Sequence, residues 1–307
     1  MTFALTFPGQ GSQKIGMGQS LASAFPASKE VFEEVDDALS QNLSRLMWQG
    51  DIKDLTLTAN AQPALMACGI AAIKALETEC GFSVSDAKYA AGHSLGEYTA
   101  LCAAGSISLK DTAILLRARG NAMQAAVPPG LGAMAALLGA SIEDAETAIS
   151  RAQDLGVCQI ANDNAPGQIV ISGNLKAVEK ACSEAALIGV KKAMMLNVSA
   201  PFHSSLMSSA ADEMSHALSE VDFFKPLIPV VNNVKAKAII DPKVDLISQV
   251  TGRVRWKESV VFMHENGIEK FIEPGCGKVL TVMLRRIVKG LNGISIDTEE
   301  SLVAFNK

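Results

Sequence analysis

Residues 88–102 read Lys88-Tyr89-Ala90-Ala91-Gly92-His93-Ser94-Leu95-Gly96-Glu97-Tyr98-Thr99-Ala100-Leu101-Cys102. Lys88 to Ala91 reads as a short strand leading into Gly92. Beyond the turn, Leu95, Tyr98, Leu101 and Cys102 recur at helical spacing. A strand, a sharp turn carrying Gly-x-Ser-x-Gly and a helix are the setting of a nucleophile elbow. The glycines are needed because so tight a turn leaves no room for side chains beside the serine. The elbow holds the Ser94 hydroxyl out of the sheet at a helix N-terminus, where backbone N–H groups can face a developing oxyanion. The same residues also fit a plain serine N-cap between a strand and a helix.

Outward from this stretch, strand-like and helix-like segments alternate, so the chain reads as α/β. Phe3 to Phe7 is a short apolar run stopped by Pro8-Gly9. Val31, Val35 and Leu39 mark one face of a helix. Pro63 suits the first turn of an alanine-rich helix ending before Gly81, and Ser108 with Asp111 opens another helix that Pro128-Pro129-Gly130 stops. Residues 128–198 then change character. Strands at 132–138, 157–161, 168–172 and 192–198 and helices at 141–152 and 175–187 give the order β-α-β-β-α-β, the ferredoxin-like pattern. We therefore expect a small domain at 128–198 inserted into a large α/β domain formed by 1–127 and 199–307. In the second half of that domain the spacing predicts helices at 204–221 and from Val244, strands near 228–232 and 268–272, and a helix near 279–288.

Composition narrows the function. In 307 residues, hydrophobics at 49% give ample core material, while a net charge of −5 and 5% aromatics speak against general nucleic-acid binding. The six cysteines form no C-x-x-C pair and the four histidines are scattered, so no metal site is expected. The thiols read as reduced and buried, which points to the cytoplasm. The opening MTFALTF has no basic region and too short an apolar run for a signal peptide, and no segment is apolar enough to span a membrane.

A serine hydroxyl needs a base. His93 is adjacent, but neighbouring side chains on such a turn point apart, and His216 and His264 lie among polar helix residues. His203, in Ser199-Ala200-Pro201-Phe202-His203-Ser204, falls where a strand ends and a helix begins. Met207, Ala210, Met214 and Leu218 continue its face, so the ring should point inward, and a helix N-terminus would keep it neutral. A helix-start histidine bonded to backbone fits equally well. On the helix after Ser108, Lys110, Arg117, Asn121 and Gln124 share a solvated face, whereas Arg119 lies on an apolar stripe with Leu115, Leu116 and Met123 and has no acid at i±3 or i±4. A buried guanidinium wants an anion, supplied by a distant carboxylate of the protein or by a ligand.

These residues, together with Phe7-Pro8-Gly9-Gln10-Gly11-Ser12-Gln13, Gln62-Pro63-Ala64-Leu65, Gly132-Ala133-Met134, Pro166-Gly167-Gln168 and Gln249 ahead of Trp256, resemble the malonyl-CoA:acyl carrier protein transacylase family over nearly the whole chain. The resemblance implies an α/β-hydrolase-like core with an inserted ferredoxin-like domain. It also implies transfer of malonyl from malonyl-CoA to the phosphopantetheine thiol of holo acyl carrier protein, in a ping-pong mechanism that supplies fatty acid synthesis. Ser94 would be the nucleophile and His203 the base. Gln249 would orient His203 through its carbonyl, and the backbone N–H groups of Gln10 and Leu95 would form the oxyanion hole. Arg119 would bind the malonyl carboxylate, with Met123 and Phe202 against the substrate. Lys191, Lys192, Arg285 and Arg286 would dock the acidic carrier. No cofactor and no metal are implied, since CoA and phosphopantetheine enter as parts of the substrates, and the expected form is a monomer with no nucleic-acid or membrane partner. Arg253 and Cys276 depart from the family pattern beside the site, which bears on substrate preference. Three other readings share the motifs: a serine esterase or thioesterase, a free-standing acyltransferase of a polyketide synthase, and an inert carrier-binding module.

Overall fold

The computed structural model describes residues 2–198 and 200–305; Ser199, where the expected return to the large domain falls, lies outside them. Two sheets organise the chain. The first is parallel, in the order Val230–Val231, Tyr89–Gly92, Phe3–Phe7, Lys270–Pro274, Asn292–Ile296. The second is antiparallel, in the order Cys158–Ala165, Gln168–Asn174, Gly132–Leu138, Lys192–Met195.

In the parallel sheet, Phe3–Phe7 lies central and runs beside Tyr89–Gly92, with Phe7 opposite Gly92. Parallel neighbours deliver their outgoing loops to the same end of the sheet, which is where open α/β sheets bind ligands. Residues 8–13 and the Ser94 turn therefore emerge side by side. Buried on nearly every side, the Thr58–Cys80 helix packs here as a core helix. It begins earlier than Pro63 suggested: Leu57 O accepts the N–H groups of Asn60 and Ala61, and Pro63 lies inside the helix, where it removes only one donor. Gly81, with φ 61°, ends the helix as anticipated. The Leu109–Ala125 helix is capped by Ser108, whose hydroxyl accepts from Asp111 N.

The small sheet carries the Ile142–Ser150 and Leu175–Leu187 helices in the expected element order. Its central hairpin is longer than its pattern indicated, running to Ala165 and from Gln168, so the turn shrinks to Pro166-Gly167. Register shifts between Ile160 and Asn162 and between Asp163 and Ala165 break the alternation that the sequence reading relied on. The last strand is shorter, Lys192–Met195, because the chain leaves the sheet after Leu196 N bonds Met134 O and lines a cavity instead. Asp163 N to Val254 O at 2.9 Å and Val254 N to Ala161 O at 2.8 Å stitch the hairpin to the large sheet's side.

Further differences lie near the C-terminus. The 204–221 helix is a short 3₁₀ turn followed by Ser208–Ser219, and the strand near 228–232 is only Val230–Val231 at the sheet edge. The strand Asn292–Ile296 and the helix Glu299–Phe305 were not anticipated; their apolar positions are too few to set a period. All six cysteines are free. Among the described residues no helix is long and apolar enough to cross a membrane.

Candidate active site

The elbow forms as read. Ser94 has φ 53°, a left-handed conformation strained for a side-chain-bearing residue. A Cβ on Gly92 would stand 1.8 Å from Gly96 O, and one on Gly96 2.3 Å from Phe7 O, so backbone itself demands both glycines. The Ser94 hydroxyl caps nothing. The helix that follows, Gly96–Ala103, starts after Leu95 with no side-chain cap, which removes the N-cap alternative.

Ser94 Oγ lies 2.8 Å from His203 Nε2. His203 Nδ1 faces two carbonyls, Gln249 O at 3.0 Å and Gly252 O at 3.2 Å. Carbonyls only accept, so Nδ1 carries the proton and Nε2 accepts the serine hydroxyl. The ring is buried and has φ 57°. Burial, and then the nearby Arg119 cation, push its pKa down to about 3, so the imidazole is neutral. The neutral ring thus has a different origin from the helix N-terminus proposed from sequence: His203 precedes a 3₁₀ turn at Ser205–Met207, and desolvation dominates.

Arg119 is 1% exposed, and among the described residues no carboxylate stands within ion-pair distance of it. Its NH1 donates to Gln62 Oε1 at 2.8 Å, and its NH2 donates to Gln249 Oε1 at 2.8 Å and Ser94 Oγ at 3.2 Å. Neutral amides aim the fork without neutralising it, so a contacting carboxylate is ruled out among the described residues, and the buried Glu97 bears on it only across the Gln249 amide. Burial lowers the Arg119 pKa, against the smaller opposing pull of Tyr98 and Glu97. The Arg117 of the supposed solvated face is half-buried instead, donating to Asn60 and Gln41.

A cavity of about 350 Å³ between the two sheets collects Gln10, Ser94, Leu95, Arg119, Met123, Phe202 and His203 on its walls. Gln249 stands behind them, fully buried. Lys191, Lys192, Arg285 and Arg286 lie outside the cavity and are exposed. Arg286 donates to Gln168 Oε1 at 3.0 Å and Pro166 O at 3.4 Å, while Lys191 packs on Gly139, whose N–H donates to Gly167 O at 2.8 Å. The two basic clusters therefore flank one turn, Pro166-Gly167.

Sequence reasoning assigned no role to several contributors. Gln62 aims Arg119 and Glu97 holds Gln249, although both stood in quoted motifs. Asn233 accepts from Ser94 N at 2.7 Å and donates to Gly92 O at 2.7 Å; its signal was a polar pair, Asn232-Asn233, ending an apolar strand. His93 also lines the cavity, its Nε2 2.8 Å from Asn164 Oδ1. His264, read as solvated, is half-buried with Nδ1 3.0 Å from Ile268 O. Of the two departures, Arg253 borders a separate groove that reaches His203 from behind, and Cys276 Sγ donates to Ser12 O at 2.8 Å under the 8–13 loop.

Residues 4–276 match the acyl transferase domain family. The chain is 43% identical over 303 residues to the malonyl CoA-acyl carrier protein transacylase of Bacillus subtilis, covering 97% of this chain and 94% of that protein. Among solved structures, the acyl-carrier-protein S-malonyltransferase of Bartonella henselae superposes with a TM-score of 0.97 at 52% identity, covering 99% of this chain and 98% of that one. A malonyl-transacylase in complex with a type II PKS acyl-carrier protein superposes with a TM-score of 0.95 at 39% identity, covering 99% and 98%. From the strained serine turn to the near-complete span of these matches, the chain belongs to the acyl transferase family, among its malonyl CoA-acyl carrier protein transacylases.

Proposed function

We propose that the protein transfers malonyl from malonyl-CoA to the phosphopantetheine thiol of an acyl carrier protein, supplying extender units for fatty acid synthesis. The observation that carries this is Ser94 Oγ 2.8 Å from a neutral His203 Nε2, beside a buried Arg119 that donates to two amide oxygens and to Ser94 Oγ itself. His203 Nε2 takes the hydroxyl proton as Ser94 Oγ attacks the thioester carbonyl. The backbone N–H groups of Gln10 and Leu95 receive the oxyanion, and its collapse expels CoA, whose sulfur regains the proton from His203. The carrier's thiol then attacks the malonyl-serine ester by the same steps in reverse order. Gln249 O holds the Nδ1 proton, so no triad acid is required. Arg119 receives the free malonyl carboxylate with two parallel hydrogen bonds, and Met123 and Phe202 crowd the acyl chain.

Thioester, ester and thioester are close in energy, so the exchange needs neither cofactor nor metal. Arg119 favours this over a generic esterase, which has no use for a buried cation at the acyl end. We read 128–198 as a ferredoxin-like domain inserted into an α/β-hydrolase-like domain of 1–127 and 199–307; the antiparallel sheet order and the elbow on a parallel sheet support it. Six free cysteines support a cytoplasmic setting. Lys191, Lys192, Arg285 and Arg286 would receive the acidic carrier.

Intact-mass spectrometry after malonyl-CoA tests the reading. The wild type should gain one malonyl increment and lose it to holo carrier protein, and Ser94→Ala should gain none. Label retained in Ser94→Ala, or release as free malonate without transfer, would refute it.

A further inference from the structure

Glu97 follows the nucleophile by three residues, is fully buried and does not line the cavity. Three uncharged N–H donors converge on its carboxylate. Asn232 Nδ2 lies 3.1 Å from Oε1, while Asn233 N and Gln249 Nε2 lie 3.0 and 2.9 Å from Oε2. None of the three can turn away without loss. Asn232 Oδ1 is occupied by the N–H groups of Val234 and Lys235, each at 2.7 Å. The Asn233 side chain holds Ser94 N and Gly92 O. Gln249 Nε2 also donates to Ser94 O at 2.8 Å, which leaves Oε1 to face Arg119. A flipped Gln249 would set an NH₂ group against the guanidinium.

We propose that the ionised Glu97 is a positioning residue for the selection of carboxylate-bearing acyl groups: it fixes the Gln249 amide with its oxygen toward Arg119, and through Asn233 it braces the strained Ser94 backbone. This rests on the acyl-transfer reading above. Only an acceptor at both oxygens satisfies three donors. An amide in its place must oppose a donor with a donor in either orientation, and a protonated carboxyl, though its hydroxyl oxygen can still accept, gives up the charge-assisted strength of the three bonds. Burial pushes the Glu97 carboxyl up to about 7 against the pull of its hydrogen bonds. The charged groups bearing on it are Arg119, which favours ionisation, and Asp245, which opposes it while paired with Lys235; the nearby His203 is neutral.

The test compares Ser94 loading from malonyl-CoA and from acetyl-CoA, read by intact mass, in the wild type and Glu97→Gln. Loss of one hydrogen bond to a charged group is worth about tenfold. The malonyl-to-acetyl ratio of loading rates should therefore fall about tenfold in Glu97→Gln, with circular dichroism unchanged. In the wild type the same ratio should fall between pH 8 and pH 6, where Arg119 and a malonyl carboxylate with an ordinary pKa of about 4 both stay charged; in Glu97→Gln it should be flat. An unchanged ratio in a folded Glu97→Gln overturns the proposal. If that variant does not fold, Gln249→Met, which removes the amide that Glu97 holds and keeps the backbone carbonyl at His203, should lower the ratio likewise, and an unchanged ratio in it overturns the proposal. A wild type that forms no malonyl ester on Ser94 refutes the acyl-transfer reading itself, a separate result.

Discussion

At Arg119 a cation is held out of water with no carboxylate in contact among the described residues, an arrangement that folding alone does not favour, since a buried charge without a contacting partner costs several kcal/mol. Gln62 and Gln249 offset part of that cost and fix the fork's direction, as the proposed binding of an anionic acyl group requires. His203 shows the opposite logic, an imidazole kept neutral beside Ser94. Its native pKa, about 3, lies below the ordinary histidine value. Between those pH values the unfolded chain binds a proton that the native protein refuses, so stability falls as pH drops through this window. At pH 5 the contribution is about 2 kcal/mol relative to neutral pH. Urea midpoints should therefore fall less between pH 7 and pH 5 in His203→Gln than in the wild type. Equal falls would show that the imidazole titrates normally.

At the scale of elements, the site depends on two helices approaching closely. An added Cβ on Gly120 would stand 2.5 Å from Ala59 Cα, backbone against backbone. This contact brings Arg119 on one helix to Gln62 on the other. Alanine gains about 1 kcal/mol of helix propensity over glycine, but overpacking costs about 1–3 kcal/mol and here has no flexible neighbour to yield. Gly120→Ala should lose up to about 2 kcal/mol by urea unfolding and slow malonyl loading more than acetyl loading; a stabilised variant would show that the helices are free to part. The elbow, the Ser108 cap and the Gly81 stop were legible because each is a local rule: steric demand, a side-chain acceptor for a free N–H, a left-handed residue. The bulged hairpin was not, because its shifts answer to Val254 across the chain rather than to its own alternation.

Over the whole molecule, a net charge of −5 opposes an acidic partner, so docking must rely on local fields. Arg286 bonds Pro166 O, and Lys191 lies against Gly139, whose N–H bonds Gly167 O, so two clusters distant in sequence approach the one turn. Reversing Arg285 and Arg286 to Glu should raise KM for carrier protein about tenfold at low salt, leave KM for malonyl-CoA unchanged, and lose its effect as salt rises. An unaltered carrier KM would remove this patch from the interface. The sequence by itself determined the alternating elements, the serine turn and an arginine on an apolar stripe, since these follow from periodicity and from the steric and solvation needs of single residues. Only the tertiary structure decided that His203 is neutral, that Arg119 is met by amides and not by an acid, and that Glu97 and Asn233 are hydrogen-bonded to each other behind Ser94. Desolvation and hydrogen-bond geometry exist only once residues more than a hundred positions apart are packed together.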